Sequence, residues 1–157
     1  MKKTIRLLFF VIISNLIGFI GRGIGGGFDF DILILPPYFI DTNYIMVSWA
    51  AIYSIIGIAA FFANNSGHHA KQTAINIFYI QLLINALWPF LFFRLELYYI
   101  AFLWGLLLYL AVIFNSVVFF KVHKLAGCLF VPYIVWLTYL GYINYYISLH
   151  NISLLNM

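Results

Sequence analysis

Five stretches of this chain are long and apolar enough to cross a lipid bilayer, and little sequence lies between them. A membrane-spanning helix needs about 20 mostly apolar residues, and such stretches cover residues 5–20, 44–63, 73–93, 97–120 and 125–149. Only 8% of the 157 residues are charged, whereas a soluble domain has about 25%. The sequence therefore predicts an all-α integral membrane protein in which residues 1–157 form one domain, a bundle of five transmembrane helices.

The basic residues are concentrated on one side of the predicted membrane, which indicates an orientation. Cytoplasmic loops are enriched in Lys and Arg, and one side carries Lys2, Lys3, Arg6, Lys71, Lys121 and Lys124. The other side carries Arg22, Arg94, Asp29, Asp31, Asp41 and Glu96. We expect a cytoplasmic N-terminus and an outside C-terminus in a bacterial-type cell membrane, with membrane lipid as a partner. The net charge of +4 reflects this topology, and no nucleic acid is expected to bind.

The longest connection, residues 21–43, joins the first two predicted helices. It opens with the glycine-rich segment Gly21–Gly27, which is expected to be pliable, and it contains Pro36-Pro37, which forces extended backbone. The connection can act as a lid over one end of the bundle or as a plain flexible connector. The sequence leaves both readings open.

The third predicted helix carries polar side chains in a strongly apolar context. Gln81, Asn85, Trp88 and Phe92 follow i, i+4, i+7 and i+11 spacing and share one helix face. Polar groups in a bilayer cost free energy unless they meet a partner, so they usually point into a bundle or a cavity. The two amides either hold helices together or, beside flat aromatic rings, orient a flat ligand with carbonyl or carboxylate groups.

No conventional catalytic or metal-binding constellation is visible in the sequence. The predicted spans hold no acid–base pair, and His68, His69 and His123 fall in predicted loops. Catalytic residues are therefore unknown, no metal is expected, and no cofactor is required. Cys128 is the only cysteine, which excludes an intrachain disulfide, and its position inside a predicted span leads us to expect a buried thiol.

Three blocks of residues, in this order and at this spacing, carry a family resemblance. They are Trp49–Ala59 with Tyr53 and Gly57, then Gln81–Phe93, then Val131–Trp136 with Asn144 eight residues later. The chain resembles the TspO/MBR family, the tryptophan-rich sensory proteins related to the mitochondrial translocator protein. No Lys or Arg follows Lys124, so the sterol-recognition pattern of mitochondrial members is absent.

The resemblance implies a compact five-helix bundle, usually dimeric, with a pocket beneath the loop between helices 1 and 2. It also implies a site for porphyrins or haem, because members of the family bind these molecules. The residues expected to bind the ligand are Trp49, Tyr53, Gln81, Asn85, Trp88, Phe92, Tyr133 and Trp136. Trp49 and Trp136 are expected to flank a flat macrocycle by stacking, and the amides are expected to donate hydrogen bonds to it.

The function expected from residues and resemblance together is that of a membrane receptor or carrier. It would bind a tetrapyrrole, protoporphyrin IX or haem, in an aromatic pocket within the bundle, and act as a homodimer in porphyrin transport or stress sensing. One alternative is a light-dependent porphyrin-degrading enzyme. A second alternative is a structural membrane protein without a ligand, whose aromatic pocket is packed shut.

Overall fold

A computed structural model describes residues 3–26 and 30–151, and all regular secondary structure in these two ranges is helical. The elements are α1 (Lys3–Gly25), α2 (Thr42–Asn64), α3 (Lys71–Pro89), a π-helical turn (Phe90–Arg94), α4 (Tyr98–Val122), α5 (Lys124–Cys128) and α6 (Val131–His150). They form five spans long and apolar enough to cross a membrane, with α5 and α6 together making the fifth. The prediction of an all-α integral membrane protein with five spans is confirmed. The predictions that involve Lys2, Gly27 and Asp29 lie outside the described residues.

The spans form a closed ring rather than a row. α1 packs against α2 and α3, α4 packs against α3 and α6, and the fifth span closes the ring by contacting α2. The side chains that fill the interior are mostly large and apolar, and Ile56, Phe78, Phe119 and Phe130 are completely buried there. Every span therefore presents one face to this core and another to the lipid.

The first helix is longer than the sequence predicts. We expected it to end at residue 20, but α1 continues through the glycine-rich segment to Gly25. A Cβ atom on Gly21 would lie 2.8 Å from the carbonyl oxygen of Ala86, and one on Gly25 would lie 2.8 Å from Cβ of Pro89. The prediction of a pliable segment from Gly21 onward is wrong because these glycines allow α1 to pack closely against α3.

The fifth span is broken, which corrects a second expectation. α5 ends at Cys128 and α6 begins at Val131, so residues 129–130 separate two helices where one helix over residues 125–149 was predicted. Pro132 lies in the first turn of α6, where its missing N–H has no partner to lose. Cys128 is exposed, so the prediction of a buried thiol is wrong.

The described residues of the connection between α1 and α2 are hydrogen-bonded to Tyr139 within α6 and to Asn151 directly after it. Asn151 accepts a hydrogen bond from the backbone N–H of Ile34 at 2.9 Å and donates one to the carbonyl of Ile34 at 3.2 Å. The hydroxyl of Tyr139 accepts from the N–H of Ile40 at 3.0 Å and donates to the carbonyl of Tyr38 at 3.1 Å. These contacts distinguish residues 30–41 from a freely moving connector, and gating by this segment stays a prediction.

Candidate functional site

The stripe on α3 is the centre of a buried polar network. The hydroxyl of Tyr53 on α2 donates to Oδ1 of Asn85 at 2.9 Å. Nδ2 of Asn85 in turn donates to the hydroxyl of Tyr133 on α6. All three side chains are buried, so the amide of Asn85 joins three helices at once. Asn85 therefore forms the interhelical bonds that one reading of the sequence predicted.

Gln81 extends the same network toward α4. Its Nε2 donates to the hydroxyl of Tyr133 at 3.4 Å, and its Oε1 accepts from Nδ2 of Asn115 at 3.2 Å. Gln81 and Asn115 are completely buried. Gln81 belongs to the bonded interior and lines neither of the cavities described next, so its contact with a ligand stays a prediction.

Two cavities lie on opposite sides of a wall made by Trp49, Asn85 and Trp88. The larger cavity has a volume of about 260 Å³ and lies between this wall, α4 and α6. The smaller cavity has a volume of about 240 Å³ and lies between the wall, α1 and α2. The same three side chains line both spaces, so the residues singled out by the sequence are in position to contact a ligand on either side.

The larger cavity is completed by residues that carry no obvious signal in the sequence. Gly105 and Tyr109 come from α4, and Leu137, Gly141 and Asn144 come from α6. A Cβ atom on Gly141 would meet nothing within 4 Å, so the missing side chain leaves part of the space open. Gly105 and Gly141, two small residues on facing helices, are the sequence feature that hints at this cavity. Asn144 is marked in the sequence by the family resemblance.

The smaller cavity has a more polar lining. Asn15, Gly18 and Arg22 of α1 contribute to it, as do Ala50 and Tyr53 of α2. The exposed side chain of Arg22 brings a positive charge to this cavity, whereas the described residues that line the larger cavity include no Lys, Arg, His, Asp or Glu. The two sides of the wall therefore suit different chemical groups.

The aromatic rings contact one another in a pattern that differs from the expected stacking site. Trp49 stacks on Tyr53, with ring centroids 5.4 Å apart. It meets Trp136 edge-to-face, with centroids 6.4 Å apart and an interplanar angle of 88°. The two tryptophans thus touch each other and leave no room for a flat ring between them. Trp136 instead lines a more open depression between α2 and α6, together with Pro132 and Tyr139.

The last predicted site residue, Phe92, lies in an aromatic cluster beneath the α1–α2 connection. Its ring stacks on Trp88 with centroids 4.8 Å apart and contacts Phe30 at 6.0 Å. Phe30 is itself buried and belongs to the connection. Phe92 packs against Trp88. Neither cavity is lined by Phe92, Tyr133 or Trp136, so contact of these three residues with a ligand stays a prediction.

Trp88 is held in place from its other edge as well. Its indole Nε1 donates to the carbonyl oxygen of Ala101 on α4 at 3.1 Å, and Nδ2 of Asn144 donates to the same oxygen at 3.3 Å. The indole Nε1 of Trp104 donates to the carbonyl of Ile84 at 2.8 Å. These bonds link α3, α4 and α6 around the larger cavity and fix the orientation of its aromatic wall.

Comparison with known proteins gives a consistent result across most of the chain. The sequence profile of the TspO/MBR family matches residues 8–150. Protein CrtK of Rhodobacter capsulatus is 29% identical, over 69% of this chain and 70% of its own length. Tryptophan-rich protein TspO of Archaeoglobus fulgidus is 30% identical, over 73% of this chain and 75% of its own. Translocator protein 2 of the dog, Canis lupus familiaris, is 27% identical, over 75% and 71% respectively.

Proposed function

The chain belongs to the TspO/MBR family, and from this premise we propose that it binds a tetrapyrrole, protoporphyrin IX or haem, in the larger cavity. The observation that carries the proposal is the composition of the wall. Two indole rings, Trp49 and Trp88, stand beside the amide of Asn85 in an otherwise mostly apolar lining. Small-molecule sites are typically concave and apolar, with a few placed polar groups, and aromatic contacts add about 0.5–1.5 kcal/mol beyond area burial.

The cavity is too small to enclose a large flat ligand, but its opening allows such a ligand to be held by one edge. Its volume of about 260 Å³ is slightly below the range of about 300–1,000 Å³ that is typical of ligand pockets. Leu106 and Thr138, which line the cavity, are exposed on the outer surface of α4 and α6. A macrocycle can therefore place one edge against the tryptophan wall while the opposite edge remains in lipid.

The role that follows is that of a receptor or carrier, in porphyrin transport or stress sensing. Within residues 3–26 and 30–151, the cavity lining offers no carboxylate, imidazole or amine, and these are the groups that most often perform acid–base catalysis. Binding and release of an unchanged ligand needs none of them. Light-dependent degradation is the alternative, and illumination of the bound complex tests it: loss of porphyrin at the same rate with denatured protein contradicts an enzymatic role.

The same proposal includes a homodimer in a bacterial-type cell membrane, with the N-terminus in the cytoplasm. The family resemblance supports the dimer. The orientation is supported by the charge distribution among the described residues, because Lys3, Arg6, Lys71, Lys121 and Lys124 lie at one end of the spans. Arg6 also donates to Asn65 at 3.2 Å, which places the start of α1 beside the end of α2.

A dark titration of the detergent-purified protein with protoporphyrin IX tests the binding site. Tryptophan fluorescence is the signal, because Trp49 and Trp88 line the cavity. We expect saturable quenching at micromolar ligand, and its loss in a variant that combines Trp49→Ala with Trp88→Ala, because these two rings form the wall. Linear quenching shared by both proteins would mean that porphyrin only dissolves in the micelle, and the site would have to be withdrawn.

A cavity-filling variant makes this test more specific because it keeps all four tryptophans. Gly141→Leu adds a side chain where a Cβ atom meets nothing within 4 Å, inside the larger cavity. Gly23→Leu is the matched control, since its Cβ position is equally open but Gly23 lines neither cavity. Weaker binding in Gly141→Leu with unchanged binding in Gly23→Leu supports the larger cavity, and equal binding in both contradicts it.

A further inference from the structure

Asn144 carries a buried oxygen whose hydrogen-bonding capacity is unused. The side chain is 5% exposed and lines the larger cavity. Its Nδ2 donates to the carbonyl of Ala101, while its Oδ1 has no hydrogen-bond partner within residues 3–26 and 30–151. Buried polar atoms are nearly always paired, so an exception calls for a physical explanation.

The orientation of this amide is fixed by its neighbour. If the group were turned over, Oδ1 would face the carbonyl oxygen of Ala101, and two acceptors would meet without a hydrogen between them. The amide nitrogen of Asn144 is therefore the atom that faces Ala101. The spare capacity of Asn144 is that of an acceptor, and only a group with an N–H or O–H can satisfy it.

Three other polar side chains of the cavity, those of Asn85, Thr138 and Trp88, already have partners. Asn85 is bonded through both its oxygen and its nitrogen, to Tyr53 and Tyr133. The hydroxyl of Thr138 donates to the carbonyl of Ile134 at 2.9 Å. The indole N–H of Trp88 is directed to Ala101. Asn144 is thus the residue of this lining with an unpaired side-chain acceptor.

The charge of the surroundings narrows the ligand class further. An ionised carboxylate placed beside Oδ1 of Asn144 would face a second acceptor, and the part of the lining that the structure describes provides no Lys, Arg or His to compensate its charge. Burying a charge without a partner is very unfavourable. The positive charge of Arg22 belongs to the smaller cavity, on the other side of the wall. The larger cavity suits a donor that is uncharged.

We propose that Asn144 determines the specificity of the larger cavity, by selecting flat apolar ligands that present an uncharged N–H or O–H donor at their edge. The inference rests on the proposed tetrapyrrole site and adds which functional group that site recognises. Oδ1 of Asn144 accepts the donor, which in protoporphyrin IX or haem is the O–H of a propionic acid group in its uncharged form, and the wall of Trp49 and Trp88 holds the ring.

Two derivatives of protoporphyrin IX, the diamide and the dimethyl ester, test this selectivity. Both are uncharged and similar in size, but only the diamide can donate a hydrogen bond from its side arms. Tryptophan quenching in detergent gives the dissociation constant of each for the unaltered protein and for Asn144→Leu. The carbonyl of Ala101 keeps the bond from Trp88 in this variant, so no backbone group is left unpaired. Asn144→Ala, which introduces no added bulk, is measured in parallel.

We expect the unaltered protein to bind the diamide about tenfold more tightly than the ester, the effect of one buried hydrogen bond. Both Asn144 variants should lose this preference, and the ratio of the two dissociation constants within one variant reports the loss even when removal of the bond from Asn144 to Ala101 changes both affinities. A preference that survives in the variants, or that is absent from the unaltered protein although both probes saturate, overturns the role of Asn144 alone. If neither probe saturates with the unaltered protein, the tetrapyrrole site and the role of Asn144 are overturned together.

Discussion

The hydroxyl of Tyr53 lies 2.9 Å from Oδ1 of Asn85 and donates a hydrogen bond that joins α2 to α3. Asn85 also donates a hydrogen bond to the hydroxyl of Tyr133 on α6, and it lines both cavities. The two readings of the amide stripe, helix contact and cavity wall, are therefore compatible at this residue. Gln81 differs from Asn85, because it forms hydrogen bonds to neighbouring helices but lines neither cavity.

Removing the hydroxyl of Tyr133 should destabilise the bundle. In Tyr133→Phe, Asn85 and Gln81 both lose the oxygen to which they donate. We expect the free energy of unfolding to fall by about 0.5–2 kcal/mol, the range for hydrogen bonds between membrane helices. Denaturation in detergent measures the change, with Tyr142→Phe, which alters an exposed side chain, as the control. Equal stability of the two variants would contradict the importance of the network.

The close approach of α1 and α2 should make Gly57 intolerant of a side chain. A Cβ atom there would lie 2.7 Å from the carbonyl oxygen of Phe10 and 2.8 Å from Cα of Val11, both backbone atoms of α1. Gly57→Ala should cost about 1–3 kcal/mol through overpacking, visible as a lower melting temperature in detergent. Gly23→Ala, with an open Cβ position, should melt like the unaltered protein. A Gly57→Ala protein of unchanged stability would show that the two helices are not this close.

The hydroxyl of Tyr139 should protect the α1–α2 connection from solvent. Tyr139→Phe removes the acceptor of the Ile40 N–H and the donor to the Tyr38 carbonyl. Amide hydrogen exchange of residues 30–41 should become about tenfold faster, because the loss of about 1.4 kcal/mol multiplies a local opening equilibrium by ten. Tyr44→Phe, on a side chain that is 69% exposed, should leave the exchange unchanged. Identical exchange in all proteins would mean that other contacts hold the segment.

The proposed orientation predicts which end of the bundle faces the outside. In a Cys128→Ser background, a single cysteine is introduced either by Ser66→Cys between α2 and α3 or by Tyr38→Cys between α1 and α2. A maleimide that cannot cross membranes should label only Tyr38→Cys in intact cells, and both variants after permeabilisation. Labelling of Ser66→Cys alone in intact cells would reverse the orientation.

Much of the fold can be predicted from the sequence because the bilayer imposes simple rules. Length and apolarity suffice for the five spans, and the i, i+4 spacing of Gln81 and Asn85 predicts that both amides point inward, as their burial confirms. Local rules fail where tertiary contacts decide. Glycine disfavours helix in isolation, yet α1 continues through Gly21 and Gly25 because their bare backbone fits against α3.

The candidate site is less predictable than the fold, for a different reason. The buried face of α6 carries Tyr133, Leu137, Asn144 and Ile147, and Trp136 stands at the edge of that face. Trp136 lines neither cavity, and its contact with a ligand stays a prediction. Leu137 and Gly141 are ordinary residues of an apolar span, and only the placement of α4 beside α6 gives them a cavity to line.

The attachment of the α1–α2 connection to α6 has a mechanical consequence. Tyr139 and Asn151, which hold the connection, lie within or directly after the helix that supplies Leu137, Gly141 and Asn144 to the larger cavity. α6 therefore contributes to the cavity and also holds the α1–α2 connection. A ligand that displaced α6 would also move Tyr139 and Asn151, so binding inside the membrane would be coupled to the position of the α1–α2 connection.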